Sequence, residues 1–128
     1  MRAWAASGRE VVHTSTHAGW PLACAAAVAT LDTIRFKHLA ARAAEVGARA
    51  LDDLRLTLLG APSVVEVRGV GLMIGVELAS PDAGRRAARG MLERGYVVLT
   101  GGQHGETLTL TPPLDVAEAR LVEAGRAL

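Results

Sequence analysis

Ser63-Val64-Val65-Glu66-Val67-Arg68-Gly69-Val70-Gly71-Leu72-Met73-Ile74-Gly75-Val76-Glu77-Leu78 decides the fold, because its apolar residues recur at every second position. Val65 and Val67 alternate with Glu66 and Arg68. Beyond Gly69-Val70-Gly71, the residues Leu72, Ile74, Val76 and Leu78 alternate with Met73, Gly75 and Glu77. A period of two sends successive side chains to opposite faces of a strand, so this run predicts a β-hairpin with one apolar face. The spacing Gly69-x-Gly71-x-x-x-Gly75 superficially suggests a nucleotide-binding loop. A strand follows it where such a loop requires a helix, and turn glycines are the better reading.

Upstream of the hairpin the period is helical. Leu39, Ala43, Val46, Ala50 and Leu54 recur in steps of four and three, which predicts a long helix from about Phe36 to Leu59, stopped by Gly60. Arg42, Glu45, Arg49, Asp52, Asp53 and Arg55 fall on its other faces, as on a surface helix covering a sheet. Before it, Pro21 to Ile34 predicts a helix that starts on a proline, where the missing N–H is not needed. Residues 1–12 show no clear period and read as an entry strand or loop.

Downstream, Ser80-Pro81-Asp82 supplies a turn and cap for a helix from Ala83 to Arg94, closed by Gly95. Tyr96 to Leu99 and Thr107 to Thr111 read as strands flanking the polar loop Gly101 to Glu106. Pro112-Pro113 ends the second of these, and Val116 to Leu128 has helical spacing. The order helix, helix, strand, strand, helix, strand, strand, helix predicts an α+β fold, with helices packed on a mainly antiparallel sheet.

The chain has 128 residues, enough for one core, with 14 basic and 13 acidic side chains. That balance provides no field to attract phosphate backbones or anionic lipid, so neither a nucleic acid nor a membrane is expected as partner. The apolar run Pro21 to Leu31, closed by Asp32 and Arg35, is too short to span a bilayer. Met1-Arg2-Ala3-Trp4 lacks the apolar stretch of a secretory leader, and the lone Cys24 has no partner for an intrachain disulfide. A cytoplasmic location is expected. Cys24, set among alanines, reads as a small buried side chain. Only four residues are aromatic: Trp4, Trp20, Phe36 and Tyr96, so the core must be built from Ala, Val and Leu. Lys37 is the single lysine.

The stretch from His13 to Pro21 is the richest in chemistry. Small hydroxyl residues beside a glycine, just ahead of a helix, suit either a phosphate cradle or a plain helix cap. On local physics alone the cap is the stronger reading. His13 and His17 stand four apart in a loop without the helix and glutamate of a zinc-protease motif, and no metal site is expected. No G-x-S-x-G elbow surrounds Ser7, Ser15, Ser63 or Ser80, which removes the warrant for a serine hydrolase. Arg85, Arg86 and Arg89 read as a solvated helix face, and Arg68 as an internal ion-pair partner.

Three strings, taken together, resemble class III pyridoxal-phosphate-dependent aminotransferases. His13-Thr14-Ser15-Thr16-His17-Ala18-Gly19-Trp20-Pro21 before an alanine-rich helix is similar to that family's H-x-S-T-F-x-G-N-P. Val67 to Leu78 is similar to its V-R-G-x-G-L-M-x-G-x-E-L hairpin, and Leu110-Thr111-Pro112-Pro113-Leu114 to its L-x-P-P-L. The resemblance implies the C-terminal small domain with its preceding helices: residues 1–35 the end of a large-domain segment, and 36–128 the small domain. It implies transfer of an amino group between an amino acid or ω-amine and a 2-oxo acid, a pyridoxal 5′-phosphate cofactor and a homodimer. Thr16 is then the residue that contacts the cofactor phosphate in the neighbouring subunit's active site, with Ser15 in a lesser role.

The same resemblance marks departures. His17 replaces an aromatic residue, Trp20 an asparagine or histidine, and Thr109 the arginine of the acetylornithine and ornithine types. The family's Schiff-base lysine and the aspartate that pairs with the pyridine nitrogen lie upstream of the threonine motif, whereas Lys37 lies downstream of it. No catalytic residue is therefore expected in this chain, which should be inactive alone and expose part of the Leu39 to Leu54 stripe. The alternative is a stand-alone, non-catalytic α+β binding or interaction domain.

Overall fold

A computed structural model describes Thr16 and residues 18–128; the segment 1–12 read as an entry strand or loop lies outside the described residues, as do Ser15 and His17. The elements in chain order are α1 (Pro21–Phe36), α2 (Leu39–Thr57), β1 (Val64–Val70), β2 (Met73–Leu78), α3 (Pro81–Glu93), β3 (Leu99–Gly101), β4 (Thr107–Leu110) and α4 (Glu118–Ala127). The strands form a sheet in the order β1-β2-β4-β3 in which every pairing is antiparallel. The α+β reading holds, element for element.

Local chemistry sets the boundaries. Ser80 caps α3 by accepting the Ala83 N–H at 3.2 Å, and Pro81 takes the first-turn position beside it. At the other end of α3 the chain turns on Gly95, at φ 86, while the Tyr96 N–H donates back to the Met91 carbonyl at 2.9 Å. That cap holds Tyr96 to the helix, and the sheet is joined only at Leu99, three residues later than the sequence predicts. The break between the first two helices is also displaced. The first continues to Phe36, and the chain turns at Lys37 and at His38, whose φ of 50 is left-handed. No glycine or proline marks that turn in the sequence.

Register decides which side chains meet the core. Val67 pairs with Val76 and Val76 with Leu108, so these three share one face, together with Ile74 and Leu78. Between Val64 and Glu66 the register shifts, and the extra residue of this bulge leaves Val65 62% exposed while Val64 packs inward beside Leu78. The sequence alternation placed Val65 on the apolar face; the bulge substitutes Val64.

α2 and α3 lie over that apolar face, and α4 packs against α2. Val76 and Leu108 are fully buried, packed with Leu78 and with Ala83 of α3. Ala43 and Val46 of α2 enclose Leu72 from the other side, with Leu121 of α4 beside them. Burying an aliphatic side chain of this size contributes roughly 1.5–3 kcal/mol, so the paired strand centres anchor the domain. Helix and hairpin approach closely because Gly47 faces the turn: a Cβ there would lie 2.1 Å from the Gly71 carbonyl oxygen. Of the stripe expected to be partly exposed, Leu39, Ala43, Val46 and Leu54 are buried and Ala50 is half-buried. The helix left bare is α1, which has no buried residue.

Candidate functional site

Thr16 lies exposed in a turn just ahead of α1. Gly19, at φ 75, supplies the left-handed step that brings the chain to Trp20. Trp20 is the N-cap and its side chain makes no cap hydrogen bond, while its carbonyl accepts the Cys24 N–H at 2.9 Å as the helix begins. Pro21 has no N–H. The Leu22 and Ala23 N–H groups precede the first intrahelical bond and have no partner within the helix. No acidic side chain sits in the first turn to occupy the positive end of the dipole. A threonine hydroxyl and helix-end N–H groups with no acidic side chain in the first turn are the donor types that suit a phosphate monoester. Ser15 lies outside the described residues, so Thr16 is the one residue of the predicted pair whose position is described.

Lys37 is at the opposite end of the same helix, exposed at its C-cap. Sixteen helical residues rise roughly 24 Å at 1.5 Å each. An amine at that distance does not share a site with a phosphate held at Thr16. Among the described residues, no group of three His, Cys, Asp or Glu is arranged to hold a metal ion. No described helix is long and apolar enough to cross a membrane.

A second region of interest is the sheet face turned away from the helices. Arg68, Gly75 and Thr109 are neighbours across β1, β2 and β4, and with Val70 and Met73 they line a shallow cleft of about 450 Å³ whose floor is the side-chain-free Gly75. Arg68 donates to Glu66 at 2.7 Å and to Glu77 at 2.5 Å, confirming it as an ion-pair partner, though on the exposed face. The hydrogen bonds to Glu77 and then Glu66 raise its already high pKa, so it remains a cation throughout. Thr109 pairs with Leu99 of β3, and its hydroxyl lies against Gly101. A second apolar cleft, of about 440 Å³, opens between α2, α4 and β3, lined by Leu54, Met91, Tyr96, Pro113 and Leu121.

The polar loop before β4 is closed by one carboxylate. Glu106 accepts the His104 N–H at 2.8 Å and the Gln103 N–H at 3.1 Å. Its pKa is lowered, first by its own backbone N–H and then by those of His104 and Gln103. Sequence reasoning gave Glu106 no role; the signal was an acidic residue three positions after Gln103 in a glycine-rich turn. Arg42 was also missed. It was assigned to the solvated side of its helix, yet its guanidinium donates to the Leu114 carbonyl at 2.7 Å and the Val116 carbonyl at 2.6 Å, fastening the segment after Pro112-Pro113 to α2. Cys24, expected to be buried, is exposed on α1. Arg85 pairs with Asp82, and Arg89 with Glu93 at 3.3 Å, as on a solvated face.

The model of the aminotransferase class-III family matches residues 1–128. Acetylornithine aminotransferase 1 of Bordetella pertussis is 44% identical over 102 residues, which are 80% of this chain and 25% of that protein. Diaminobutyrate–2-oxoglutarate aminotransferase of Rhizobium meliloti is 35% identical over 130 residues, 91% of this chain and 28% of that protein. Among solved structures, acetylornithine aminotransferase from Elizabethkingia anophelis superposes with a TM-score of 0.79 at 28% identity, covering 93% of this chain and 30% of that one. The ornithine aminotransferase of Toxoplasma gondii gives 0.77 at 34% identity, covering 90% and 27%. The chain thus spans about a quarter of the length of the curated relatives it matches. With a family match over its whole length and the fold of solved members, the chain belongs to the class III aminotransferases.

Proposed function

We propose that this chain supplies the small domain and one cofactor-phosphate contact of an aminotransferase that moves an amino group between an amino acid or ω-amine and a 2-oxo acid. The observation that carries this reading is the family match across residues 1–128. The local fit supports it: Thr16 and the uncapped start of α1 offer the donors a phosphate monoester needs. Residues 1–35 belong on this reading to a large-domain segment and 36–128 to the small domain, in keeping with the turn at Lys37 and His38 and the absence of buried residues on α1.

Pyridoxal 5′-phosphate, when bound, supplies the electron sink that lets an amine-bearing carbon give up its proton. Within this chain, Thr16 donates its hydroxyl to the phosphate, with Ser15 beside it, and the Leu22 and Ala23 N–H groups add the field of the helix end. By the resemblance Thr109 stands where the acetylornithine and ornithine types carry an arginine, which leaves an amine or 4-aminobutyrate-like donor open. The lysine that bonds the cofactor comes from another segment, because Lys37 sits a full helix length from Thr16. The chain is inactive alone and works within a homodimer in the cytoplasm, with Thr16 serving the neighbouring subunit.

The test uses the 128-residue chain with pyridoxal phosphate and borohydride, followed by peptide mapping. No adduct should appear at Lys37, and a stoichiometric adduct there would overturn the reading. In an assembled enzyme, Thr16→Val should weaken cofactor binding about tenfold, the loss of one charge-assisted hydrogen bond. An unchanged cofactor affinity would remove Thr16 from the site. The second reading, a stand-alone interaction domain, draws on the burial of the α2 stripe by the chain's own sheet. It requires the free chain to be a monomer that excludes hydrophobic dye.

A further inference from the structure

We propose that the cleft where the carboxyl ends of α2 and α4 meet the flank of α3 binds a small aliphatic carboxylate, with its tail on the apolar floor and its anion between Arg86 and Arg94. The inference is independent of the aminotransferase reading. The cleft has a volume of about 320 Å³, which is at the small end of the range for small-molecule sites. Leu58, Val64, Leu78 and Ala87 line it, and all four are part of, or packed against, the apolar cluster of Val76 and Leu108. A tail laid there meets the edge of the folded core.

The rim of the cleft carries unbalanced charge. From Pro81 to Arg94 the chain has four arginines and two acids. Asp82 is taken by Arg85 and Glu93 by Arg89. Arg86 and Arg94 both line the cleft, and among the described residues neither forms an ion pair. Positions 86, 90 and 94 share one face of a helix, and the residue between the two arginines is Gly90. Arg94 folds back over that gap: its Nη1 donates to the Gly90 carbonyl at 2.9 Å and lies 3.0 Å from where a Gly90 Cβ would stand. This brings the guanidinium back towards Arg86. The carbonyl bond caps the end of α3 and accounts for Arg94 as a cation at a helix carboxyl end. It gives no partner to Arg86. Two like charges on one rim repel, and an anion accepted between their planar donor forks relieves that repulsion. The carboxyl ends of α2, α3 and α4 border the same cleft and offset part of the arginine charge, which suits a carboxylate monoanion over a doubly charged phosphate.

The experiment titrates the nitrogen-15-labelled 128-residue chain with sodium hexanoate at constant ionic strength and follows the amide resonances. Val64, Ala87 and Gly90 should shift in a saturable way. Acetate, which lacks the tail, and 1-hexanol, which lacks the charge, should each bind about tenfold more weakly or worse. Raising the ionic strength should weaken hexanoate and leave hexanol unaffected. Arg86→Gln and Arg94→Gln should each weaken hexanoate by about threefold and together by about tenfold, as expected of exposed guanidinium groups. Arg86→Gln should leave the urea midpoint of the free chain unchanged, so a lost affinity there is a lost contact. Hexanol binding as well as hexanoate would reduce the site to an apolar groove, and acetate matching hexanoate would reduce it to diffuse charge; either overturns the proposal. So would hexyl phosphate binding more tightly than hexanoate, shifts centred on Tyr96 and Leu121 of the other cleft, or no saturable shift at all.

Discussion

Replacing Gly47 with alanine sets two effects against each other, and the structure fixes which wins. In a helix interior the change favours folding by about 1 kcal/mol, because alanine loses less backbone freedom. At this position the added Cβ would lie 2.1 Å from the Gly71 carbonyl oxygen, 2.2 Å from its carbon and 2.8 Å from its Cα. All three are backbone atoms of the hairpin turn, and Gly71 itself is held at φ 56, so no side chain can swing aside. The helix must retreat by about 1 Å, which forfeits a quarter to a half of each close contact between Ala43, Val46 and Leu72. Overpacking of this severity belongs at the upper end of the usual range, about 3 kcal/mol, leaving a net loss of about 2 kcal/mol.

Gly90 of α3 provides the control. A Cβ there meets only the far end of the Arg94 side chain, at 3.0 Å. Gly90→Ala should therefore stabilise by up to about 1 kcal/mol. Urea unfolding followed by far-ultraviolet circular dichroism measures both, and the two variants should move the midpoint in opposite directions. If Gly47→Ala raised the midpoint as Gly90→Ala does, the close approach of α2 to the hairpin would be refuted.

Leu108→Ala, at a fully buried position, should cost about 2–5 kcal/mol by urea unfolding, while Leu22→Ala on the bare α1 should cost almost nothing. Equal losses would mean that α1 is part of the folding core. Arg42→Lys breaks a two-pronged hold on the Leu114 and Val116 carbonyls that a point charge cannot reproduce, and should cost about 1–3 kcal/mol. Amide exchange should accelerate first at Val116, and unchanged protection there would contradict the tie. Glu106 binds fewer protons folded than unfolded at pH values just under 4.5, so its contribution is present above that value and fades as pH falls through the depressed folded pKa. Glu106→Gln should flatten that part of the pH dependence of the urea midpoint; an acid limb identical to that of the parent chain would rule the carboxylate out.

Periodicity carried most of the fold, and its failures have identifiable causes. The hairpin and the α2 stripe were legible because burial on one face forces a period on the sequence. Val65 was placed on the wrong face because one inserted residue reverses the alternation, and nothing in Val64-Val65 marks where it goes. Tyr96 to Val98 read as strand from β-branched and aromatic content, but the cap of α3 claimed the Tyr96 N–H. Arg42 looked solvent-facing because a helical period assigns faces relative to a single partner, and α2 is bordered by both the sheet and the segment after Pro113. The turn ahead of α1 and the start of that helix were legible, since Gly19 and Pro21 impose local geometry. That Cys24 is exposed was not legible: its alanine-rich setting is that of a buried helix, and burial depends on what surrounds the helix.

That last point joins stability to function. Every buried side chain of the described residues lies between 39 and 128, with one cluster formed by β2, β4 and α3 and a second in which α2 encloses Leu72. Thr16 is attached to the one helix that contributes nothing to either cluster. α1 packs against α2 without burying a side chain, so tertiary contacts add little to offset its costly nucleation. Its amino-terminal donors converge on an anion only while its first turn is formed, so the apparent phosphate affinity of the free chain is its intrinsic affinity scaled by that fraction. Enclosing α1 raises the fraction towards one without changing a single contact to the phosphate. On the proposed function Thr16 would therefore depend on packing along its own helix, and substitutions such as Leu31→Glu, at the other end of α1, should weaken phosphate binding as changes at the threonine do.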